Sequence, residues 1–256
     1  MDVAWKVGVG SPAGDWELRM SMRSFWTHYR ATANYWIIGH IPAWIDTRVV
    51  FCLPWPDPYR RCKDANLLHK AIRLAMEPEI SDPFIWCSDD QFLLRSSGPE
   101  DFKLWHTGEI SEAVGDGLTK WQLRMINTGN RLRSAGYPAM NFDSHVPHPL
   151  RKDWVKDALR FDFAVKPGMC TSSTIVNCGR EQGLPLDSEP IRAWLGGADI
   201  PKREVDAMLA KCQFASLAEK SLDNGYIVLR MKQLFPDPAP WELDTVARSH
   251  HPICFS

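Results

Sequence analysis

The sequence predicts an α/β fold with a mainly parallel sheet flanked by helices. Short apolar runs at 4–9, 35–38 and 84–88 alternate with segments of helical spacing at 16–29 and 64–76. Strands that alternate with helices are joined by crossover connections, which favour parallel pairing. Helical spacing predominates after about residue 110, so a more helical second half is expected.

In the first half, a strand at 4–9 and a loop rich in Ser, Pro and Gly at 10–15 precede the first helix, in which apolar residues recur every four positions. A third short strand is expected at 49–53, and three prolines then interrupt regular structure. The helix at 64–76 leads into the strand that begins at Phe84.

In the second half, helical spacing is found at 118–132, 152–159, 191–195, 202–212 and 214–220. The segment 226–231 has the pattern of a strand. No linker rich in Gly or Ser divides the chain, so we expect a single domain over residues 1–256.

Composition narrows the possible functions. With 256 residues the chain can bury roughly 70–75% of its unfolded surface. Its net charge of -1 argues against nucleic-acid binding by bulk charge. Seven cysteines without CxxC pairs, and no signal-peptide pattern, favour a reduced, cytoplasmic protein. No apolar segment reaches the ~20 residues that cross a bilayer, so no membrane partner is expected.

The most informative segment is the apolar run from Phe84, which ends at two adjacent carboxylates, Asp89 and Asp90. Ligands of open α/β sheets bind beyond the carboxyl ends of the strands, where paired acids can hold a divalent cation that carries a diphosphate. The alternative is that the two acids only form a turn or cap a helix.

The loop between the first strand and helix contains glycines that would let the backbone approach a nucleotide, together with Ser11 and Asp15. It matches neither the dinucleotide fingerprint nor the P-loop, so a plain tight turn is equally open. On the following helix, Arg19 and Arg23 lie four residues apart on one face, where they would meet phosphates or solvent.

A second cluster follows Asp143, where two prolines stiffen a loop that carries His145 and His148. Arg151 and Lys152 then open a helix, whose start already has partial positive charge. A bound phosphate would compensate these cations. The alternative is a proline-rich connector with solvated charges.

Several segments together resemble the Stealth family in the order in which they occur, over nearly the whole chain. They are 17–24, 36–44, 84–93, 145–152 and 234–242. The resemblance implies a GT-A-like nucleotide-sugar fold and the transfer of sugar-1-phosphate to hydroxyl acceptors. The sequence departs from the family at 7–15, beside the expected donor, and at Leu222, Asp223 and Asn224.

The resemblance divides the expected GT-A-like transferase domain into a nucleotide-sugar-binding half at 1–110 and an acceptor-side helical half at 111–256. The cofactor it implies is Mn²⁺ or Mg²⁺, held by Asp89 and Asp90. His145 is a candidate third ligand, phosphate donor or base, because its ordinary pKa suits proton transfer.

The predicted site residues fall into three groups. The nucleotide-sugar contacts are Ser11, Asp15, Arg19, Arg23, Asp89, Gln91 and Lys152; the catalytic residues are Asp90, His145 and Glu242; the metal ligands are Asp89, Asp90 and His145.

The predicted function is transfer of a sugar from a nucleotide-sugar donor, a UDP-sugar, to a hydroxyl acceptor. The departure at 7–15 favours glycosyl transfer over sugar-phosphate transfer. The predicted acceptor is a hydroxymethylated pyrimidine in bacteriophage DNA, with basic residues along the phosphate backbone. These basic residues are Arg60, Arg61, Lys63, Arg131 and Arg133. The alternatives are a Stealth-like sugar-1-phosphate transferase acting on a glycan, and a non-catalytic carbohydrate- or nucleotide-binding module.

Overall fold

The computed structural model describes residues 1–8, 14–59, 62–111 and 117–243. The helices of this part are α1 (Trp16–His28), α2 (Lys63–Ala75), α3 (Lys120–Ser134), α4 (Lys152–Asp157), α5 (Thr171–Cys178), α6 (Lys202–Lys211) and α7 (Gly225–Leu234). The strands are β1 (Val3–Val7), β2 (Tyr35–Gly39), β3 (Phe51–Pro54), β4 (Phe84–Ser88), β5 (Gln91–Leu93), β6 (Trp105–His106), β7 (His148–Leu150), β8 (Leu184–Pro185), β9 (Arg192–Leu195) and β10 (Phe214–Leu217).

The central sheet has the strand order β3-β2-β1-β4-β7, and its first four strands are parallel. The predicted mainly parallel α/β fold is therefore confirmed. The last residues of β1, β2 and β4, which are Val7, Gly39 and Ser88, lie at the same edge of the sheet. This is the edge at which open α/β sheets bind their ligands.

The strand β7 runs against the others, because His148 lies opposite Trp86 and Leu150 lies opposite Phe84. Residues that precede β7 therefore reach the carboxyl edge of β4, near Ser88. Residues that follow β7 lie at the amino edge.

Side chains alternate between the two faces of the sheet, and both faces are covered. Ala4 packs on the face that carries α2, α4 and α5, whereas Val3 and Trp5 pack on the face that carries α1. Burial on both sides explains why the strands read as continuous apolar runs rather than as alternating ones.

A smaller sheet has the order β5-β10-β9. Its strand β5 begins directly after the turn at Asp89 and Asp90, so this turn joins the two sheets. Helices α6 and α7 pack with this sheet around a third apolar cluster that includes Leu195, Leu209 and Ile227.

Two predicted helices, at 191–195 and 214–220, are wrong, since these segments form β9 and β10. Short apolar segments cannot be assigned from periodicity alone, and main-chain pairing decides their conformation. Here β10 pairs in parallel with β9 and antiparallel with β5. In β9 the inward residues are Ala193 and Leu195, two positions apart.

The predicted strand at 226–231 is also wrong, since this segment belongs to α7. The side chain of Asn224 caps the helix by accepting hydrogen bonds from the backbone N–H groups of Tyr226 and Ile227. Ile227 and Met231 lie four residues apart and are buried on one face of the helix. The sequence feature that indicates this helix is its capping residue, Asn224, which lies just before the apolar segment.

The other predicted helices lie close to their expected positions, as α1, α2, α3, α4 and α6. None of the helices in the described ranges is both long and apolar enough to cross a bilayer.

Candidate active site

The two adjacent carboxylates lie where the sequence predicted, in a turn directly beyond β4. The side chain of Gln91 braces this turn, because its Oε1 accepts a hydrogen bond from the backbone N–H of Ser88 at 2.9 Å. The Gln91 carbonyl accepts a further hydrogen bond from the Ser21 hydroxyl on α1. Gln91 was predicted to contact the nucleotide sugar. In the structure, its side chain and its carbonyl hold the acidic turn in place.

The environment of the acidic turn disfavours its negative charge. Burial, together with the neighbouring Asp89, raises the pKa of Asp90 well above its usual range. Burial also raises the pKa of Asp89, and Asp15 adds to this rise. Burial lowers the pKa of the Lys6 ammonium on β1, while Asp90 opposes that change. A bound cation beside the two carboxylates would relieve their repulsion.

Two cavities meet at this turn. The larger has a volume of about 550 Å³ and is lined by Asp89, and the smaller has a volume of about 200 Å³ and is lined by Asp90. Their shared lining is Lys6, Lys63, Leu67 and Ser88. Asp89 and Asp90 therefore line two different cavities. The lining that the two cavities share carries two cations, Lys6 and Lys63.

The larger cavity has a fixed aromatic ring on its wall. The backbone of Tyr59 is held by Asn66, which accepts from its N–H at 3.0 Å and donates to its carbonyl at 3.0 Å. The Tyr59 hydroxyl lies 3.2 Å from His69 Nε2. A ring held in this way can stack on the flat face of a ligand.

Beside the larger cavity, which Lys70 lines, several elements are joined at a single backbone oxygen. The Val7 carbonyl accepts a hydrogen bond from Lys70 Nζ at 2.9 Å and another from the His40 N–H at 3.2 Å. Lys70 Nζ also pairs with Asp57 at 2.7 Å. A Cβ at Gly39, where φ is +117°, would lie 2.0 Å from the same oxygen. The ends of β1 and β2 are thereby fixed to α2.

The smaller cavity is lined by paired polar side chains. Trp121 donates from Nε1 to Asp143 Oδ2 at 2.7 Å, and Arg124 donates from Nη1 to Asp64 Oδ2 at 2.8 Å. All four side chains line the cavity. Its wall therefore offers an indole ring and two orientated carboxylates.

His148 also lines the smaller cavity and is 3% exposed. Burial lowers its pKa to about 4, so the imidazole is neutral at neutral pH. Its Nε2 lies 2.8 Å from the Phe142 carbonyl, an acceptor, so this nitrogen carries the proton and donates. The remaining nitrogen, Nδ1, is therefore an acceptor.

His145 lines the same cavity as Asp90, as expected from its position before β7. Its backbone φ of 55° lies in the left-handed region, and its ring packs 4.6 Å from that of Trp194. Burial lowers its pKa. Within the described ranges, no three His, Cys, Asp or Glu side chains are grouped closely enough to hold a metal ion. The three predicted ligands therefore do not form one cluster, which leaves Asp89 and Asp90 as a two-carboxylate pair.

Arg19, Arg23 and Glu242 lie together, but they line neither cavity. Arg23 binds both carboxylate oxygens of Glu242, at 2.5 and 2.7 Å, and Arg19 lies 3.7 Å from the same group. The expected phosphate contacts of the arginines and the expected catalytic role of Glu242 are not supported by these positions. The three charges instead hold the segment 235–243 against α1.

Lys152 lies at the opposite edge of the sheet from Asp89, because it follows the reversed strand β7. Its Nζ donates to the Glu77 carbonyl at 2.8 Å, and its N–H donates to Asp82 at 3.1 Å. These protein groups, rather than a phosphate, compensate the start of α4. The position of Lys152 does not support its predicted role in binding a nucleotide sugar.

Asp15 is the N-cap of α1 in the left-handed conformation, 3.6 Å from His40 Nε2. Its negative charge adds slightly to the rise in the pKa of Asp89. Ser11, Arg60 and Arg61 lie outside the described ranges.

Lys6 was not predicted to lie in the site, and Lys63 was predicted only to contact DNA; both line the two cavities. A lysine within an otherwise apolar buried strand is itself a signal, since charged residues are rarely buried without a partner. Lys63 is the first residue of α2. A cation at a helix start is unfavourable unless an anion compensates it. The reasoning that led to a phosphate at Lys152 therefore fits Lys63 instead.

Comparison with known proteins supports the fold. No family model matches the sequence, and no curated protein matches it. The structure is similar to that of an active-site mutant of LgtC, a GT-A glycosyltransferase, with a TM-score of 0.53 and 10% sequence identity. The match covers 97% of this chain and 99% of that chain. The chain has a GT-A-like fold.

Within this GT-A-like fold, the acidic turn and both cavities lie at the carboxyl edge of the parallel strands. Because no family model matches, the resemblance to the Stealth family stays a prediction.

Proposed function

We propose that this protein is a glycosyltransferase that moves a sugar from a nucleotide sugar, a UDP-sugar, to a hydroxyl acceptor. The observation that carries the proposal is the turn beyond β4, where Asp89 lines one cavity and Asp90 the other. A nucleotide sugar likewise consists of a nucleoside and a sugar that are joined by a diphosphate, so each part could occupy one cavity. The GT-A-like fold, shared with LgtC, supports this function.

The larger cavity suits the nucleoside, because the fixed ring of Tyr59 can stack on a base. Lys6 and Lys63 lie on the wall between the cavities, where the diphosphate would pass. The amino end of α2 adds partial positive charge at Lys63. These two lysines replace Arg19, Arg23 and Lys152 as the proposed phosphate-facing cations.

The donor set at Asp89 and Asp90 fits Mg²⁺ or Mn²⁺. Magnesium in nucleotide sites is commonly held by one or two carboxylates while the substrate phosphates supply further oxygens. Two adjacent carboxylates with raised pKa values are such a set. A cation bound there would neutralise charge on the departing diphosphate.

The proposed reaction begins with the acceptor oxygen, which bonds to the anomeric carbon of the sugar. The bond from that carbon to the diphosphate oxygen breaks, and the nucleoside diphosphate leaves with the electron pair. His145 lines the same cavity as Asp90, and because burial lowers its pKa it is neutral and can receive the acceptor proton.

A DNA acceptor gains no support from Arg131 and Arg133. Arg131 donates to the Asp162 carbonyl at 2.5 Å, and Arg133 lies 3.5 Å from the Glu109 carboxylate. Both side chains contact protein groups, so Arg131 and Arg133 do not form an exposed basic surface for the DNA backbone. A glycan acceptor is the competing proposal, and the test below includes both.

The test is to incubate the protein with Mn²⁺, UDP-sugars, and either simple glycosides or hydroxymethylpyrimidine DNA, and to identify the products by mass spectrometry. We expect UDP to be released with an acceptor one sugar heavier. Asp90→Asn should lower the rate at least about 100-fold, as loss of a central electrostatic group does in other enzymes. Asp153→Asn, which removes a carboxylate near the opposite edge of the sheet, is the matched control.

Release of UMP with a sugar phosphate on the acceptor would instead establish Stealth-like transfer. Tight binding of UDP-sugars with no release on any acceptor would favour the binding-module alternative and contradict the proposal.

A further inference from the structure

His145, the proposed base, has a backbone conformation that few residues other than glycine adopt. Its φ of 55° lies in the left-handed region. Such a conformation persists only where the surrounding structure determines it, and it is concentrated at functional sites. The residues that hold His145 in this conformation are therefore candidates for a role in the reaction.

The carbonyl groups on both sides of His145 are held by the small sheet. Arg192, on β9, donates from Nη1 to the Ser144 carbonyl at 2.5 Å. Ser216, on β10, donates from its hydroxyl to the His145 carbonyl. Because peptide units are planar, the relative orientation of these two carbonyls depends on φ and ψ of His145. Two hydrogen bonds from neighbouring strands thus determine both angles.

The ring of His145 is held by the same sheet. It packs against Trp194 on β9, with 4.6 Å between the ring centres and 46° between the planes. The Arg192 guanidinium lies 5.5 Å from the centre of the Trp194 ring. Arg192 therefore supports His145 in two ways, through the Ser144 carbonyl and through Trp194.

These contacts are shielded from water. Ser144 and Ser216 are fully buried. Burial lowers the pKa of Arg192, while Asp187 and Asp143 oppose that change. A cation in such a position is costly unless it is hydrogen-bonded, and its bond to the Ser144 carbonyl meets this requirement. Loss of either donor would remove a hydrogen bond that water does not readily replace.

The same end of β10 also holds the acidic turn. Leu217, next to Ser216, donates its N–H to the Asp90 carbonyl at 3.0 Å. Ser216 lies opposite Gln91, whose side chain braces that turn. Two consecutive residues of one strand therefore bind the backbone of Asp90 and that of His145. This end of β10 fixes the proposed base relative to the two carboxylates.

We infer that Arg192 and Ser216 are positioning residues, which hold His145 in place beside Asp90 without contacting the substrates themselves. The inference rests on the proposed function, in which His145 receives the acceptor proton. His145 lines the cavity of Asp90, whereas neither Arg192 nor Ser216 lines either cavity. Proton transfer requires close alignment of donor and acceptor, so a displaced imidazole should lower the rate without weakening the binding of the donor.

The test measures kcat and KM for UDP release with Mn²⁺, UDP-glucose or UDP-galactose, and methyl glycosides or hydroxymethylpyrimidine DNA. Ser216→Ala and Arg192→Met should each lower kcat about tenfold, since a misplacement of about 1 Å costs up to about 100-fold. The KM for the UDP-sugar should not change. Arg192→Lys, which restores a charged donor on β9, should recover part of the loss.

Ser97→Ala and Arg95→Met are the matched controls. The buried Ser97 hydroxyl donates to the Arg95 carbonyl at 3.0 Å, and Arg95 Nε donates to the Cys212 carbonyl at 3.0 Å. These variants also remove a donor to a backbone carbonyl near the small sheet, but neither residue lines a cavity or contacts the segment around His145. Both should leave kcat unchanged.

A second comparison separates positioning from a general effect on the fold. His145→Asn removes the imidazole, while asparagine tolerates the left-handed region. In this background, Ser216→Ala and Arg192→Met should cause no further loss of kcat. Losses as large as those in the wild-type background would overturn the inference, as would variants that raise KM and leave kcat unchanged. If His145→Asn itself keeps the wild-type kcat, the inference fails while glycosyl transfer stands.

Hydrogen exchange tests the holding of the loop independently of activity. Amides in the segment 142–150 should exchange faster in Ser216→Ala and Arg192→Met than in the wild type and the two controls. Unchanged exchange in both variants would overturn the inference even if the protein is an active glycosyltransferase. A wild-type protein that releases no UDP with any acceptor would refute the proposed function, and the catalytic role of this loop with it.

Discussion

Lys6 and Asp90 form the electrostatic centre of the proposed site. The Lys6 ammonium lies 5.0 Å from the centre of the Trp86 ring, on the wall shared by both cavities. Lys6 is the stronger of the two cations that lower the pKa of Asp90, ahead of Lys63, and it partly offsets the repulsion from Asp89. A divalent ion bound beside the two carboxylates would relieve that repulsion further.

His148 should make the stability of the protein depend on pH. Its pKa falls from 6.5 to about 4 on burial; Lys6 and His145 also lower it, while the Phe142 carbonyl and Asp143 raise it. Between these values the unfolded chain binds a proton that the folded protein does not, so the free energy of unfolding falls as the pH falls. The loss at pH 4 should be about 3 kcal/mol, measured by urea unfolding.

The control for this prediction is His148→Gln, in which the titrating ring is absent. Acidic side chains titrate in the same range, but they are common to both proteins and cancel in the difference. The mutant should therefore lose about 3 kcal/mol less than the wild type between pH 7 and pH 4. Identical losses in the two proteins would mean that His148 is protonated in the folded state.

The sequence identified individual residues where a local pattern determined their position. Asp89 and Asp90 were found because a buried strand ends immediately before them. Arg23 was assigned to phosphate because its partner, Glu242, is 219 residues away and no local pattern reports that contact. The low pKa of His148 depends on burial by several distant elements, so it could not be predicted.

At the scale of elements, the ion pair between Arg23 and Glu242 helps to hold the segment 235–243 against α1. Arg23 donates two hydrogen bonds to Glu242 and also donates to the carbonyls of Phe235 and Pro236. Its side chain is 13% exposed and that of Glu242 is 7% exposed. Removing one partner therefore leaves the other charge poorly solvated.

Arg23→Met should lower the free energy of unfolding by at most about 3 kcal/mol, the usual cost of an uncompensated charge in a buried pair, because Arg19 still lies 3.7 Å from Glu242. Glu242→Gln should also destabilise the protein. The double mutant should lose less than the sum of the two single losses, as measured by urea unfolding in a double-mutant cycle.

Fully additive losses would show that the two side chains act independently. Arg48→Met provides a comparison, since the Arg48 side chain is 83% exposed in its pair with Asp46. Its effect should be much smaller than that of Arg23→Met, as for other exposed ion pairs.

The helices α1 to α4 and α6 and the four parallel strands could be assigned from the sequence, whereas the strands of the small sheet could not. The segments at 192–195 and 214–217 are strands only because each finds a partner in the small sheet. The reversal of β7 was not predicted either, and this one reversal moved Lys152 to the opposite edge of the sheet. Direction and pairing are set by tertiary contacts, which periodicity does not encode.

At the scale of the molecule, the apolar cores join the two halves of the chain. The core on one face of the sheet contains residues from Ala4 to Cys178, and the core on the other contains residues from Val3 to Trp241. In the first of these, Ala4 and Trp86 pack in one cluster with Val155 and Ile175. Neither half can bury its sheet without the other.

The fragment 1–110 should therefore fail to fold, although it contains the four parallel strands. The full chain should unfold in a single cooperative transition, with the same urea midpoint by circular dichroism and by tryptophan fluorescence. A folded fragment, or two separate midpoints, would show that the predicted single domain is divided.

The Val7 carbonyl, shared by Lys70 and the His40 N–H, has a consequence for how this protein can diverge. A side chain at Gly39 would meet that oxygen, and the oxygen is held from two sides, by α2 and by the chain that follows β2. Loss of Lys70 alone would remove one of these hydrogen bonds but would not make room at Gly39. Relatives that keep the first two strands in this arrangement should therefore keep glycine at this position, even where the lysine has been replaced.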